Sequence, residues 1–131
     1  MNGVIFMRPK VLLYRLGEET EKGKALCAIL DEMKILVLHV KPEQLGETAG
    51  KLASTNAAAP GAAPPESVPE AEFMLLCGLG NQQLDRLLAA MRRAGVYVPY
   101  KAVLTEYNKE WKLCKLIEEV AQEHELMKGS R

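Results

Sequence analysis

Four short runs along the chain are almost unbroken in apolar character: Val11 to Leu16 (VLLYRL), Ile35 to Val40 (ILVLHV), Phe73 to Leu79 (FMLLCGL) and Lys101 to Thr105 (KAVLT). A strand with one wet face alternates, whereas one covered on both faces is continuously apolar, as in parallel sheets. Between the runs the period lengthens. In Glu18 to Lys34, the residues Leu26, Ile29, Leu30 and Met33 fall on one helical face. Leu84, Leu87, Leu88 and Met91 repeat that spacing in Asn81 to Ala94, with Asn81 as predicted N-cap and Gly95 as predicted stop. A third helix, about Asn108 to Met127, aligns Leu113, Leu116, Ile117, Val120, His124 and Met127. Pro42 to Ala53 is a weaker helix, interrupted by Gly46 and Gly50.

The order β-α-β-(α)-β-α-β-α predicts an α/β fold: a small doubly wound, mostly parallel four-stranded sheet with helices on both faces. A ferredoxin-like α+β arrangement is the alternative, because two β-α-β halves can also pair antiparallel. Pro99 cannot donate a ladder hydrogen bond, which puts the fourth strand at an edge or starts it after the proline. Leu16-Gly17 and Leu79-Gly80 each close a strand before a helix, a loose likeness between the halves. Ser54 to Glu70, STNAAAPGAAPPESVPE, has no periodic apolar face. It reads as a flexible Ala/Pro-rich insertion at 54–70 in a single domain spanning 1–131.

Composition narrows the function. Seventeen basic and seventeen acidic residues in 131 leave no net charge, so neither a nucleic acid nor an anionic membrane is an expected partner. The N-terminal residues do not read as a secretory signal, since the apolar stretch is short and its charges follow it. Cys27, Cys77 and Cys114 are odd in number, far apart and set in apolar segments, the pattern of reduced thiols in a cytoplasmic protein. With His39 and His124 they make no metal-ligand spacing, so neither metal nor cofactor is expected. Ser54, Ser67 and Ser130 lie in the insertion or the tail and offer no serine triad. No catalytic set emerges.

Two stretches remain. Cys77-Gly78-Leu79-Gly80-Asn81 runs from a strand into a helix, where glycines admit a ligand close to backbone and free N–H groups attract anions. The third glycine of a dinucleotide fingerprint falls on Gln83, so a plain tight turn is the simpler reading. Cys77 is a candidate reactive thiol at the strand end, or more simply a small buried hydrophobe. The second stretch is Lys101 to Trp111. Lys101 and Thr105 share a strand face. The final helix is expected to carry Lys109, Lys112 and Lys115 early and acids late, against the helix dipole. On that helix Trp111 would lie about 160° from the apolar stripe, marking either a covered loop or a ligand pocket.

Val98-Pro99-Tyr100-Lys101-Ala102-Val103-Leu104-Thr105-Glu106-Tyr107-Asn108 resembles a small bacterial family known only as a domain of unknown function. The V-P-x-K-A-V-x-T-x-x-N segment, the tryptophan, the long helix and a preceding strand ending Cys-Gly carry the resemblance, which extends over about Val11 to Glu125. It implies no activity. The expected function is a non-enzymatic binding or interaction module, working through Gly78, Gly80, Asn81, Lys101, Thr105, Asn108 and Trp111. The alternative is an enzyme or sensor that binds a small anionic metabolite or nucleotide at the Gly78–Asn81 turn. An exposed edge strand and the last helix would serve a homodimer.

Overall fold

The computed structural model describes residues 8–54 and 71–129. From residue 55 onward the Ala/Pro-rich insertion lies outside them. The elements are β1 (Lys10–Tyr14), α1 (Glu21–Glu32), β2 (Leu36–Val40), a 3-10 turn at Pro42–Gln44, α2 (Ala49–Ala53), β3 (Phe73–Cys77), α3 (Asn81–Ala94), β4 (Tyr100–Val103) and α4 (Leu113–Gly129).

The strands form one sheet in the order β2-β1-β3-β4. The sheet is mixed, which corrects the mostly parallel expectation: β1 with β2 and β3 with β4 are parallel, but the two central strands run antiparallel. Nor does a ferredoxin-like split form, because both strands of each β-α-β unit are direct neighbours. The continuous apolar runs are explained by layering rather than direction. Every residue of β1 and of β3 is buried, so both faces of the centre are covered. Val11, Leu13, Met74 and Leu76 pack with Leu26 and Leu30 of α1 and with Leu87 and Met91 of α3. Leu12, Tyr14, Phe73, Leu75 and Cys77 pack with Leu52 of α2 and with Leu113, Leu116 and Ile117 of α4. Each such aliphatic side chain contributes roughly 1.5–3 kcal/mol. The outer strands β2 and β4 are only partly covered, and β4 lies at the sheet margin, as Pro99 predicts.

The halves repeat one another more closely than their residues suggest. Leu12 faces Leu75 at the centre of the antiparallel pair, and Thr48, before α2, bridges antiparallel to Lys112, before α4. Both long helices on the first face stop alike. Ile35 N–H donates to Leu30 O and Lys34 N–H to Asp31 O in α1; Val96 N–H donates to Met91 O and Gly95 N–H to Arg92 O in α3. These are the two bonds of a Schellman turn. Lys34 and Gly95 take the left-handed position with φ of 63° and 73°. Lys34 therefore ends α1 rather than extending it. At the other end Thr20 caps α1 through its side chain, whereas the N-cap of α3 is Gly80 without a side-chain bond. Asn81 is the first helical residue of α3, which corrects its predicted capping role.

Candidate functional site

The last helix begins at Leu113, the first residue of its apolar stripe and five residues later than the expected start at Asn108. Thr105 to Asn108 explains why. Thr105 Oγ1 accepts from the N–H groups of Tyr107 and Asn108, both at 3.2 Å. Asn108 Oδ1 accepts from Thr105 N–H at 2.9 Å, while its Nδ2 donates to Val103 O at 3.0 Å. Threonine and asparagine side chains here supply the bonds that a helix would otherwise supply, favouring a closed turn. The T-x-x-N spacing is thus a loop-building device, and both residues spend these polar atoms internally.

This loop corrects two sequence expectations. Trp111 precedes the helix, so its position follows from the loop and not from helical angles. Lys109 and Lys112 also lie outside α4, so the inverted charge order along that helix does not exist as expected. Lys109 pairs with Glu106 at 2.6 Å, and Lys115 with Glu119 at 3.1 Å.

The loop is anchored on α2. Ala49 N–H donates to Trp111 O, and Gly50 N–H to Lys109 O at 2.8 Å. A Cβ on Gly50 would stand 2.9 Å from that carbonyl, so the approach needs glycine or a shift of backbone. Held this way, Trp111 rests half-buried against the α2–α4 core cluster. Tyr107 meets it edge-on at 6.2 Å and is 81% exposed. Beside them opens a cavity of about 380 Å³ between β4 and α4. Ala102, Val103, Leu116 and Val120 contribute apolar wall, and Glu119 and Glu123 contribute acid. Lys101, Thr105, Asn108 and Trp111 all border it, so the structure brings these four predicted residues together. Lys101 donates through Nζ to Val98 O and sits over the Tyr97 ring at 5.5 Å. Burial pushes its pKa down.

Gly78, Gly80 and Asn81 leave the same end of the sheet, because β3 and β4 are parallel and Leu104 N–H donates to Leu76 O. They do not line the cavity around Thr105. Gly78 takes φ 73°, a left-handed turn that favours glycine. Cys77 is fully buried, with Sγ 3.7 Å from Leu75 O. Burial pushes its thiol up to about 12, against the opposing charge of Lys10, so it stays protonated at neutral pH.

Sequence reasoning missed Tyr107 as a site residue, although an aromatic at the crest of a T-x-x-N turn is a readable signal. It also missed the approach of Cys27 to His39, with Sγ and Nε2 3.7 Å apart. Their sequence separation gives no sign of this, because it depends on how α1 packs beside β2.

Among the described residues no helix is long and apolar enough to cross a membrane. No curated protein and no solved structure matches the chain. Residues 72–127, the span from just before β3 to late α4 that includes the whole Thr105–Trp111 loop, match the family described as Domain of unknown function (DUF3783), and the second half of the chain is similar to that family.

Proposed function

We propose that the chain is a non-enzymatic interaction module, and that the groove between β4 and α4 receives an extended segment of a protein partner. The observation that carries this reading is the Tyr107–Trp111 pair, an exposed ring beside a half-buried one at the mouth of an apolar-walled groove. Tyrosine and tryptophan are the residues most often found to anchor partner contacts. Charge narrows the partner. Lys101 turns its ammonium to a backbone carbonyl, while Glu119 and Glu123 line the groove, so a segment pairing apolar with basic side chains fits better than an anion. The alternative ligand, a small anion at the Gly78–Asn81 turn, has in its favour the absence of acid from the first turn of α3.

The test is panning of a random peptide library on the full chain, read out by emission of the single tryptophan. Selected peptides should combine aromatic or aliphatic residues with Lys or Arg and should perturb Trp111 emission. Tyr107→Ala and Glu123→Lys should weaken them at least tenfold. Peptides that bind both variants as they bind the parent, or a library that yields none, refute the groove. Stabilisation by phosphorylated metabolites, lost in Asn81→Asp, would favour the anion reading instead.

A further inference from the structure

On the face of the sheet opposite the groove described above, α1 and α3 lie side by side, and a second groove of about 650 Å³ runs between them. Its floor is apolar. Ile29 and Met33 of α1 are only partly buried against the core, and Ala89 and Ala90 of α3 are small enough to let another backbone come close. Its α3 bank is basic. Gln83, Arg86, Ala90 and Arg93 recur at steps of three and four, so they form one stripe along the helix. Arg86 and Arg93 are both exposed. Among the described residues neither is paired with an acid, although Lys22, Lys51, Lys109 and Lys115 all are. Two unpaired cations beside an apolar floor complement a partner that is acidic and carries apolar surface of its own.

The spacing of the two arginines narrows that partner. Seven residues of helix rise ~10.5 Å, so a single phosphate or carboxylate does not bridge Arg86 and Arg93. A helix laid along α3 does, because its own residues seven apart share that rise and return to nearly the same face. The walls favour a helix too. Both banks are helices whose backbone groups are bonded internally, so an extended segment between them would find no backbone partner. A helix satisfies its own backbone and packs its ridges into a groove of this kind. Glu32 on the α1 bank is the one acid that borders the groove among the described residues. It opposes a polyanion such as nucleic acid, and it offers a place for a basic residue on the far side of the partner's apolar stripe. We infer that the α1–α3 groove docks an amphipathic helix of a protein partner, with two carboxylates seven residues apart set against Arg86 and Arg93 and aliphatic side chains between them set against Ile29 and Ala90.

The experiment selects a displayed library of helical peptides, randomised over one face, on the full chain and titrates the selected peptides by fluorescence anisotropy. They should carry Asp or Glu at i and i+7 with Leu, Ile or Met between, and should gain helix by circular dichroism on binding. Arg86→Glu and Arg93→Glu, both at exposed positions, should each weaken binding at least tenfold without moving the thermal midpoint. In the chain carrying both changes, exchanging the peptide's two acids for lysine should restore binding. Glu32→Gln should leave the acidic peptide bound at least as tightly. Tyr107→Ala should leave it unchanged, which separates this surface from the groove beside α4. Selected peptides without paired acids, binding indifferent to both arginine variants, or no selected peptide overturns the inference. Self-association of the parent that Arg86→Glu abolishes would assign the groove to a second copy and overturn it too. So would tight binding of an oligonucleotide that is lost in the same variant, which would assign the groove to a polyanion.

Discussion

Replacing Asn108 by alanine tests whether the T-x-x-N turn is what shapes the candidate groove. The side chain makes two bonds, accepting from Thr105 N–H and donating to Val103 O. A typical intramolecular hydrogen bond contributes about 1 kcal/mol net, and a buried partner left unpaired costs ~1–3 kcal/mol. Both partners are part-buried, so water recovers some of that loss, and the expected total is about 2–3 kcal/mol. At roughly 4 °C per kcal/mol for a domain of this size, the midpoint should fall by ~8–12 °C. Asn108→Asp separates the two bonds. It keeps an acceptor for Thr105 N–H but turns a carboxylate oxygen towards Val103 O, so its loss should be at least as large as one bond. Thr105→Val removes the reciprocal acceptor, and a double-mutant cycle with Asn108→Ala should return a coupling of ~0.5 kcal/mol or more. Urea unfolding followed by circular dichroism gives the free energies, and Trp111 emission reports the loop itself. Asn108→Ala within ~0.5 kcal/mol of the parent, with unchanged emission, would refute the turn as the organising element.

Alongside this and the peptide experiments, two further outcomes follow from packing. The Cys77 thiol ionises near 9 when unfolded but is held up to about 12 in the fold, so the unfolded chain loses its proton first as pH rises. Stability that is present below pH 9 is therefore lost progressively towards pH 12, by roughly 2 kcal/mol between pH 8 and 10.5. Lys10 has its folded pKa lowered mainly by burial, against the raising charge of Cys77, and works in the opposite sense below 10.5; the burial part of that effect is common to parent and variant, the Cys77 part is not. The stability gap between the parent and Cys77→Ala, measured in urea at both pH values, should narrow by about that amount; a constant gap would exclude the thiol. Gly23→Ala would gain ~1 kcal/mol from helix propensity alone. Its Cβ, however, would lie 2.0 Å from Gly17 O and 2.5 Å from Leu16 O, both backbone atoms, so a net loss of at least ~2 kcal/mol is expected from thermal unfolding.

Much of the fold was legible along the chain because the physics behind it is local. The apolar runs name the four strands to within a residue or two at each end. Asn81 to Ala94 is the span of α3, and Gly95 stops it with φ 73° because a left-handed residue is needed there. The alternation of elements and the edge position of the proline-preceded strand follow likewise from period and hydrogen-bond chemistry. Lys101, Thr105, Asn108 and Trp111 were identifiable as a cluster because they stand close in sequence, at the end of one strand and in the loop after it.

What the tertiary structure decided is direction and distance. A run such as Phe73 to Cys77 is apolar throughout because helices cover both sides of it, and that remains true whether its neighbour runs parallel or antiparallel. Strand direction leaves no trace in such a pattern, so the antiparallel join of β1 to β3 could not be read from it. The apolar stripe of α4 starts only at Leu113 and so leaves the residues before it undecided; side-chain bonds from Thr105 and Asn108 fold them into a turn. Finally, Gly78, Gly80 and Asn81 leave the sheet at the same end as the cavity but do not line it, since they lead into α3, on the face opposite α4. Cys27 and His39 show the reverse: two residues unremarkable in sequence meet because α1 packs beside β2 and aims both at one point.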